Sequence, residues 1–176
     1  MQSIEQVVLV NQHDEQTGVM EKMEAHRKGL LHRAFSVFAF NEKGEMLLQQ
    51  RAKEKYHSPA LWTNACCSHP RENETVTEAA ERRLFEELGF STKVSKAFSF
   101  TYKASFDNGL IEHEFDHVLI ANITNDTVIQ PNPHEVMDYC YMSVDSIQAA
   151  LQSHPEKFTA WFHIAFPKLV AHLQPA

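Results

Sequence analysis

The stretch TNACCSHPRENETVTEAAERRLFEELGF, from Thr63 to Phe90, opens as a strand carrying two cysteines and a histidine and closes as an acidic helix. From Glu74 onward every residue is a strong or neutral helix former until Gly89, a natural left-handed terminator, which predicts a helix from about Glu74 to Leu88. At about 100° per residue, Val76, Ala80, Arg83, Leu84 and Glu87 share one side, while Glu74, Glu78, Arg82 and Phe85 lie on another. Glu87 therefore points inward. An unpaired carboxylate there costs several kcal/mol, so it needs a cation, either Arg83 or a divalent metal ion. Glu74, Glu78 and Glu81 read as solvated, with Glu78 and Arg82 an i,i+4 pair. In the strand half, Leu61 to Cys67, alternation sends Thr63, Ala65 and Cys67 to one face and Asn64 and Cys66 to the other, so only one cysteine can face a site.

Outward from this stretch the chain alternates strands and turns. Val7 to Asn11 reads as a short buried strand, Asp14 to Gly18 as a turn, and Val19 to Lys28 as a polar segment without a clear period. Arg33 to Phe40 and Glu45 to Gln50 are apolar runs joined by the hairpin signal Asn41-Glu42-Lys43-Gly44, followed by a basic loop from Arg51 to Ser58. After the helix, Lys93 to Tyr102 and Leu110 to Asn122 flank a second hairpin turn at Phe106 to Gly109, and the latter strand lines up Glu112, Glu114 and Asp116 on one face. Glu135 to Met142 is the last strand, Ser143 caps a helix from Val144 to about Gln152, and Thr159 to Leu173 is a helix that Pro167 should kink or interrupt. This order predicts one α/β (α+β) domain over residues 1–176, a mixed β-sheet sandwiched between α-helices.

The 176 residues, 43% apolar and 22% charged, are long enough for a sizeable core. A net charge of -7 argues against nucleic acid as a partner, although Lys22, Arg51, Lys53, Lys55, Arg82 and Arg83 can still make one pocket positive. The N-terminus lacks a basic n-region and no stretch approaches the length of a membrane span, so a cytoplasmic protein without a membrane partner is expected. Three cysteines, two adjacent, are a poor disulfide framework. Eleven histidines is a high count.

Ser68, Glu74, Arg82, Glu86, Glu87, Gly89 and Phe90 fall at the spacing of the Nudix box, with Ser68 in place of its glycine and Arg83 in place of the Glu after the Arg. Together with TNACCSHP, the chain resembles the type 1 isopentenyl diphosphate isomerases, Nudix-fold enzymes whose hallmark is Thr-Asn-x-x-Cys-[Gly/Ser]-His-Pro. The resemblance runs from Glu21 to Trp161 and beyond. It implies the Nudix fold and a metal site formed by His26, His32, His69, Glu112 and Glu114. Imidazole with carboxylate suits Mn2+ or Zn2+. His57, His113, His117, His134, His154, His163 and His172 have no counterpart and read as structural or solvated.

Interconverting isopentenyl and dimethylallyl diphosphate needs a proton delivered to the terminal alkene carbon and another removed from C2, through a tertiary carbocation at C3. The resemblance puts Cys67 on one side of the slot and Glu114 on the other, with Tyr102 assisting and the π face of Trp161 toward the cation. It also gives Glu87 a Mg2+ that bridges the diphosphate, and assigns diphosphate binding to Lys22, Arg51, Lys55 and Arg83. Read without the family, Cys67 is a core thiol or a base whose pKa nearby cations lower, and Trp161 a core residue. Cys66 and Cys140 are packing residues. The substrate is then an allylic or homoallylic diphosphate, and the chain a monomer or homodimer. The competing readings are a Nudix hydrolase of a nucleoside diphosphate derivative, which needs several helix carboxylates for metal, and a non-catalytic metal-binding module. A cysteine protease ranks below both, because Cys67 and His69 lie two residues apart on one face with no third group marked.

Overall fold

The computed structural model describes residues 4–174. Its elements are β1 (Gln6–Val10), β2 (Gln16–Glu21), α1 (Lys22–Lys28), β3 (His32–Phe40), β4 (Met46–Arg51), β5 (Trp62–Thr63), β6 (Cys66–Ser68), α2 (Val76–Leu88), β7 (Val94–Ser105), β8 (Ile111–Asn122), β9 (Val136–Met142), α3 (Val144–Ser153) and α4 (Ala160–Leu173). The strands form one mixed sheet organised around β3, which is buried along most of its length. On one side β3 runs parallel to β8 from His32 opposite Glu114 to Phe40 opposite Asn122. On its other side it meets β1 at Leu9, β6 at Cys66 to Ser68, and β4 at Met46.

That second edge explains two departures from the sequence reading. The Asn41–Gly44 turn forms as expected, but β3 and β4 pair only at Phe40 and Met46 and then splay. The chain from Trp62 to Ser68 fills the wedge, pairing first with β4 and then with β3, so the single strand expected from Leu61 to Cys67 is two short ones. At the crossing the buried Asn64 amide donates to the Val37 carbonyl (2.9 Å) and to the Cys66 carbonyl (3.1 Å), and Gln49 Nε2 donates to the Ala65 carbonyl (2.5 Å). Side chains thus satisfy backbone groups that a continuous ladder would have paired.

Helices cover both faces. On one, Val76, Ala80, Leu84 and Leu88 of α2 pack on Phe35, Val37, Leu47 and Leu119. On the other, Phe162, Phe166 and Leu169 of α4 and Ile147 of α3 pack on Phe38, Met46, Leu48 and Val118. The helix of the box begins at Val76, two residues later than the propensity run, because Thr75 and Glu78 form a reciprocal capping box. Glu78 is thereby spent on the cap, and Arg82 pairs with Glu74 (2.8 Å) and Glu86 (3.2 Å) instead. Pro167 does not interrupt α4. It is exposed, so the carbonyl it leaves without a donor lies on the solvent side.

Near the N-terminus the turn lies earlier than expected, at Asn11 to Asp14, and Gly18 is inside β2. The polar segment from Val19 to Lys28 splits into the end of β2 and the whole of α1. Glu21 caps this short helix through the amides of Met23 and Glu24, and Ala25 and His26 are its buried residues. No helix among the described residues is long and apolar enough to cross a membrane.

Candidate active site and metal centre

His26 comes from the buried side of α1, His32 opens β3, His69 follows β6, and Glu112 and Glu114 lie on the inward face of β8. The parallel register that sets His32 beside Glu114 draws these elements together. One donor atom from each of His26, His32, His69 and Glu114 lies within 4.8 Å of the other three. Glu114 Oε2 is 3.1 Å from His32 Nε2 and 2.7 Å from His69 Nε2.

Backbone contacts orient two of these rings. His26 Nδ1 donates to the Lys22 carbonyl (2.7 Å) and His32 Nδ1 to the Leu30 carbonyl (2.9 Å), so each ring turns Nε2 inward. This is the outer-shell arrangement that orients a metal-binding imidazole. His26 Nε2 is buried without a partner. An Nε2 lone pair on His32 facing a carboxylate oxygen is repulsive unless a proton or a metal ion shares it. Burial pushes His26 and His69 down to about 4, against the Lys22 carbonyl in one case and Glu114 in the other, which keeps both imidazoles neutral near pH 7. Glu114 is held well below the usual carboxylate range, its burial outweighed by hydrogen bonds from His32 and His69. His32 is different: against its burial, Glu114 holds it above the usual histidine range, so a divalent metal ion there would take the place of its proton. Three imidazoles around an ionised carboxylate are a donor set for such an ion.

Glu112, expected in the same ligand set, belongs to a second group, His26–His57–Glu112. The Tyr102 hydroxyl, buried between the two carboxylates, shares its one proton between Oε1 of Glu112 and Oε1 of Glu114 and leaves their Oε2 atoms to the histidines. His57 was not legible as a site residue. It is 4% exposed, and its Nε2 lies 3.0 Å from Glu112 Oε2.

The local alternation at β6 separates the cysteines as expected. Cys66 is fully buried against α2, and its thiol donates to Glu87 Oε2 at 2.7 Å. Cys67 faces the opposite way, with its thiol 3.1 Å from Asn64 Oδ1 and 3.4 Å from Ser36 Oγ. Because Asn64 spends its Nδ2 hydrogens on backbone carbonyls and Ser36 gives its hydroxyl proton to Asp116 Oδ2 (2.7 Å), both present acceptors to the thiol. Cations were expected to lower the Cys67 pKa. Instead burial, followed by the charge of Asp116, pushes it up, so the thiol carries its proton. Asn64, Ser36 and Asp116 are further site residues. Of these, Asp116 carried a signal in the sequence by sharing the β8 face with Glu112 and Glu114, and Asn64 as the Asn of the Thr-Asn-x-x-Cys motif, while Ser36 carried none.

Cys67, Glu112, Glu114, His57, Arg51 and Trp161 line one small cavity of about 20 Å³, room for about one water molecule. A five-carbon chain enters it only if a wall moves. Trp161 is 2% exposed; the Arg51 guanidinium lies 5.1 Å over its ring and His57 sits edge-on at 5.5 Å.

The four expected diphosphate-binding cations are not gathered in one pocket. Lys22 and Arg83 share a larger cavity with His69, Arg51 lines the small one, and Lys55 lines a third. Most are held by carboxylates: Lys22 by Glu5, Lys55 by Glu135 (2.5 Å), and Arg83 by Glu86 (2.7 Å) and Glu135 (3.5 Å). Glu135 thus bridges Lys55 and Arg83, a role the sequence did not mark. Glu87 is inward and 4% exposed as predicted, and besides Cys66 it has Arg83 at 3.8 Å. It belongs to neither His/Glu group.

A mixed sheet between helices, with the box helix at the edge of this cluster, defines a Nudix domain, and the NUDIX domain family model matches residues 30–162. A protein from Deinococcus radiodurans shares the fold with a TM-score of 0.70 at 21% identity, covering 85% of this chain and 90% of its own. The MutT protein of Methanosarcina mazei follows at a TM-score of 0.65 and 16% identity, covering 82% and 96%. Among curated relatives, the isopentenyl-diphosphate Delta-isomerase of Pectobacterium atrosepticum is 50% identical over 96% of this chain and 93% of its own length. That of Photobacterium profundum is 52% identical over 90% of each, and that of Aliivibrio fischeri (strain MJ11) 47% identical over 98% of each. The chain belongs to the Nudix family and, within it, to the isopentenyl-diphosphate Delta-isomerases.

Proposed function

We propose that this chain interconverts isopentenyl and dimethylallyl diphosphate, and that Cys67 and Glu114 are its acid–base couple. The observation that carries the residue assignment is the small cavity that Cys67, Glu114 and Trp161 line together, which brings two proton-transfer groups and a π face to one place. One of the couple gives a proton to the terminal alkene carbon and the other takes one from C2, so the double bond moves and the proton count is unchanged. Tyr102 orients Glu114 through Oε1. Trp161 offers π density to the cation at C3, about 2 kcal/mol when desolvated. Lys22, Lys55 and Arg83 bind the diphosphate once it displaces their carboxylate partners, and Arg51 binds it from the small cavity.

His26, His32, His69 and Glu114, with Glu112 beside them, would hold Mn2+ or Zn2+, and Glu87 a Mg2+ shared with the diphosphate. A bound divalent ion supplies positive charge that keeps Glu114 ionised and in place. The whole reaction belongs to one domain, acting in the cytoplasm as a monomer or homodimer with no membrane or nucleic-acid partner.

The hydrolase reading is disfavoured by where the box carboxylates go. Glu74 and Glu86 are tied up by Arg82 and Arg83, Glu78 is a helix cap, and only Glu87 points inward. Isopentenyl diphosphate incubated with the protein and Mg2+ in deuterated water should yield dimethylallyl diphosphate carrying deuterium. Release of phosphate or monophosphate without alkene migration overturns the proposal. Glu114→Gln should abolish the label, and retained isomerisation there would remove Glu114 from the couple.

A further inference from the structure

The small cavity of Cys67 and Trp161 has two neighbours that share no lining residue with each other. One holds Lys22 and Arg83 and meets the small cavity at Ser68 and His69. The other, of about 580 Å³, has an apolar lining of Pro59, Leu61, Phe106, Pro155, Phe158 and Ala160, and meets the small cavity at Tyr56 and His57. The Lys22 ammonium lies 4.6 Å over the Tyr56 ring, which places Tyr56 toward the cations. His57 stands between the small cavity and the apolar one, its imidazole edge-on to Trp161 at 5.5 Å and stacked on Phe106 at 4.7 Å with an interplanar angle of 3°.

This partition is braced. The loop that carries it passes through the left-handed region at Ser58 (φ 51°) and Ala60 (φ 62°), conformations that persist in non-glycine residues only where the surroundings enforce them. Here Gln50 Nε2 donates to the Ala60 carbonyl (3.0 Å), Arg51 Nη2 to the His57 carbonyl (3.1 Å) and Asn108 Nδ2 to the Tyr56 carbonyl (3.0 Å). With its own carbonyl tied and its ring packed on Phe106 at 4% exposure, His57 is an end wall and not a swinging side chain.

We infer that His57, backed by Phe106, sets the length of hydrocarbon the site accepts: it ends the space for a five-carbon chain and shuts longer homologues out of the apolar cavity behind it. The inference rests on the reading of the small cavity as the seat of that chain. A diphosphate held by Lys22 and Arg83, with its branched end beside Trp161, points the chain at the imidazole. A chain longer at that end meets the ring; without the ring it continues past Leu61 and Phe158, where each added methylene is taken out of water. Calorimetry in Mg2+ with two saturated probes reads this without turnover: isopentyl diphosphate, and 3-methylheptyl diphosphate, which is three methylenes longer at the branched end. Wild type should bind the longer probe at least about tenfold more weakly. His57→Ala should close or reverse that gap, and His57→Phe, which keeps a flat ring against Phe106, should retain it. His57 also lies 3.0 Å from Glu112, so the readout is the ratio of two affinities in one protein, which weakened metal binding or partial unfolding leaves in place. Phe106→Ala removes only the backing of the ring and should narrow the gap too, which keeps the test open should His57→Ala fail to fold. Equal affinities in wild type, or the wild-type gap in the alanine variants, overturns the inference. Discrimination by a protein that does not isomerise isopentenyl diphosphate would leave the inference standing without the proposed function, and isomerisation without discrimination would leave the function standing alone.

Discussion

Exchanging the two adjacent cysteines one at a time separates chemistry from stability. Cys67 has no partner in the hydrophobic core and lines the small cavity, whereas Cys66 is 0% exposed, packs among Ala79, Ala80 and Leu84, and donates to Glu87. Cys67→Ala removes a proton-transfer group, so kcat should fall by about 10²- to 10⁴-fold with Tm changed little. Cys66→Ala removes one core sulfur and leaves the buried Glu87 carboxylate with only Arg83 at 3.8 Å. Leaving a buried acceptor under-satisfied costs about 1–3 kcal/mol. For a chain of this size each kcal/mol lowers Tm by roughly 2–4 °C, so Cys66→Ala should melt roughly 2–12 °C below wild type. Its kcat at saturating Mg2+ should stay within about tenfold. Calorimetric melting and isomerase kinetics on the two variants are the assay. Equal losses of turnover would refute the claim that alternation at β6 gives the thiols separate roles.

Tyr102→Phe leaves Glu112 and Glu114 without the hydroxyl that holds their Oε1 atoms, and should weaken Mn2+ binding by about 10- to 100-fold, read by calorimetry. Ala60→Gly relieves a left-handed alanine and should raise Tm by about 2–4 °C, for about 1 kcal/mol; an unchanged Tm would mean the loop carries no strain there. Glu74 is held below the usual carboxylate range by the Arg82 guanidinium, against partial burial. Because its folded pKa is the lower one, its contribution is complete above the unfolded value of about 4.3 and is lost as pH falls through the folded value. In urea unfolding, the stability gap between wild type and Glu74→Gln should therefore be constant above about pH 5 and close on further acidification.

Much of this arrangement was legible because it is local. The helix of the box, its αL stop at Gly89, the inward turn of Glu87 and the shared face of Glu112 and Glu114 follow from periods of 3.6 and 2. What escaped was set by neighbours distant in the chain. Nothing in Trp62 to Ser68 reveals that it must fill the wedge between β3 and β4, so its break at Asn64 and Ala65 was invisible. His57 looked like a loop histidine because its burial depends on Phe106, fetched by the β7–β8 hairpin, and on Trp161 from α4. Glu78 was paired with Arg82 by helical spacing alone, but the capping box competed for the same carboxylate and won.

The cations explain how an acidic chain holds a site for an anion. Free lysines and arginines at a buried mouth would repel one another, and in a chain with a net charge of -7 acidic partners are close at hand. Lys22, Lys55 and Arg83 are each tied to a carboxylate that is 64%, 25% or 36% exposed, namely Glu5, Glu135 and Glu86 respectively. These partners lie nearer to water than the cations they hold, whose own exposures are 20%, 16% and 14%. A diphosphate arriving from outside would exchange one anion for another, with the displaced carboxylates turning into solvent at little desolvation cost. The cations are kept extended in the meantime, so part of the ordering entropy of binding is already spent in the fold. Arg51 differs: it is 7% exposed, with Trp161 under its guanidinium and the His57 carbonyl on Nη2. It is the one cation of the set placed at the inner cavity, where it joins the charge that binds the diphosphate to the aromatic wall beside the reacting carbons.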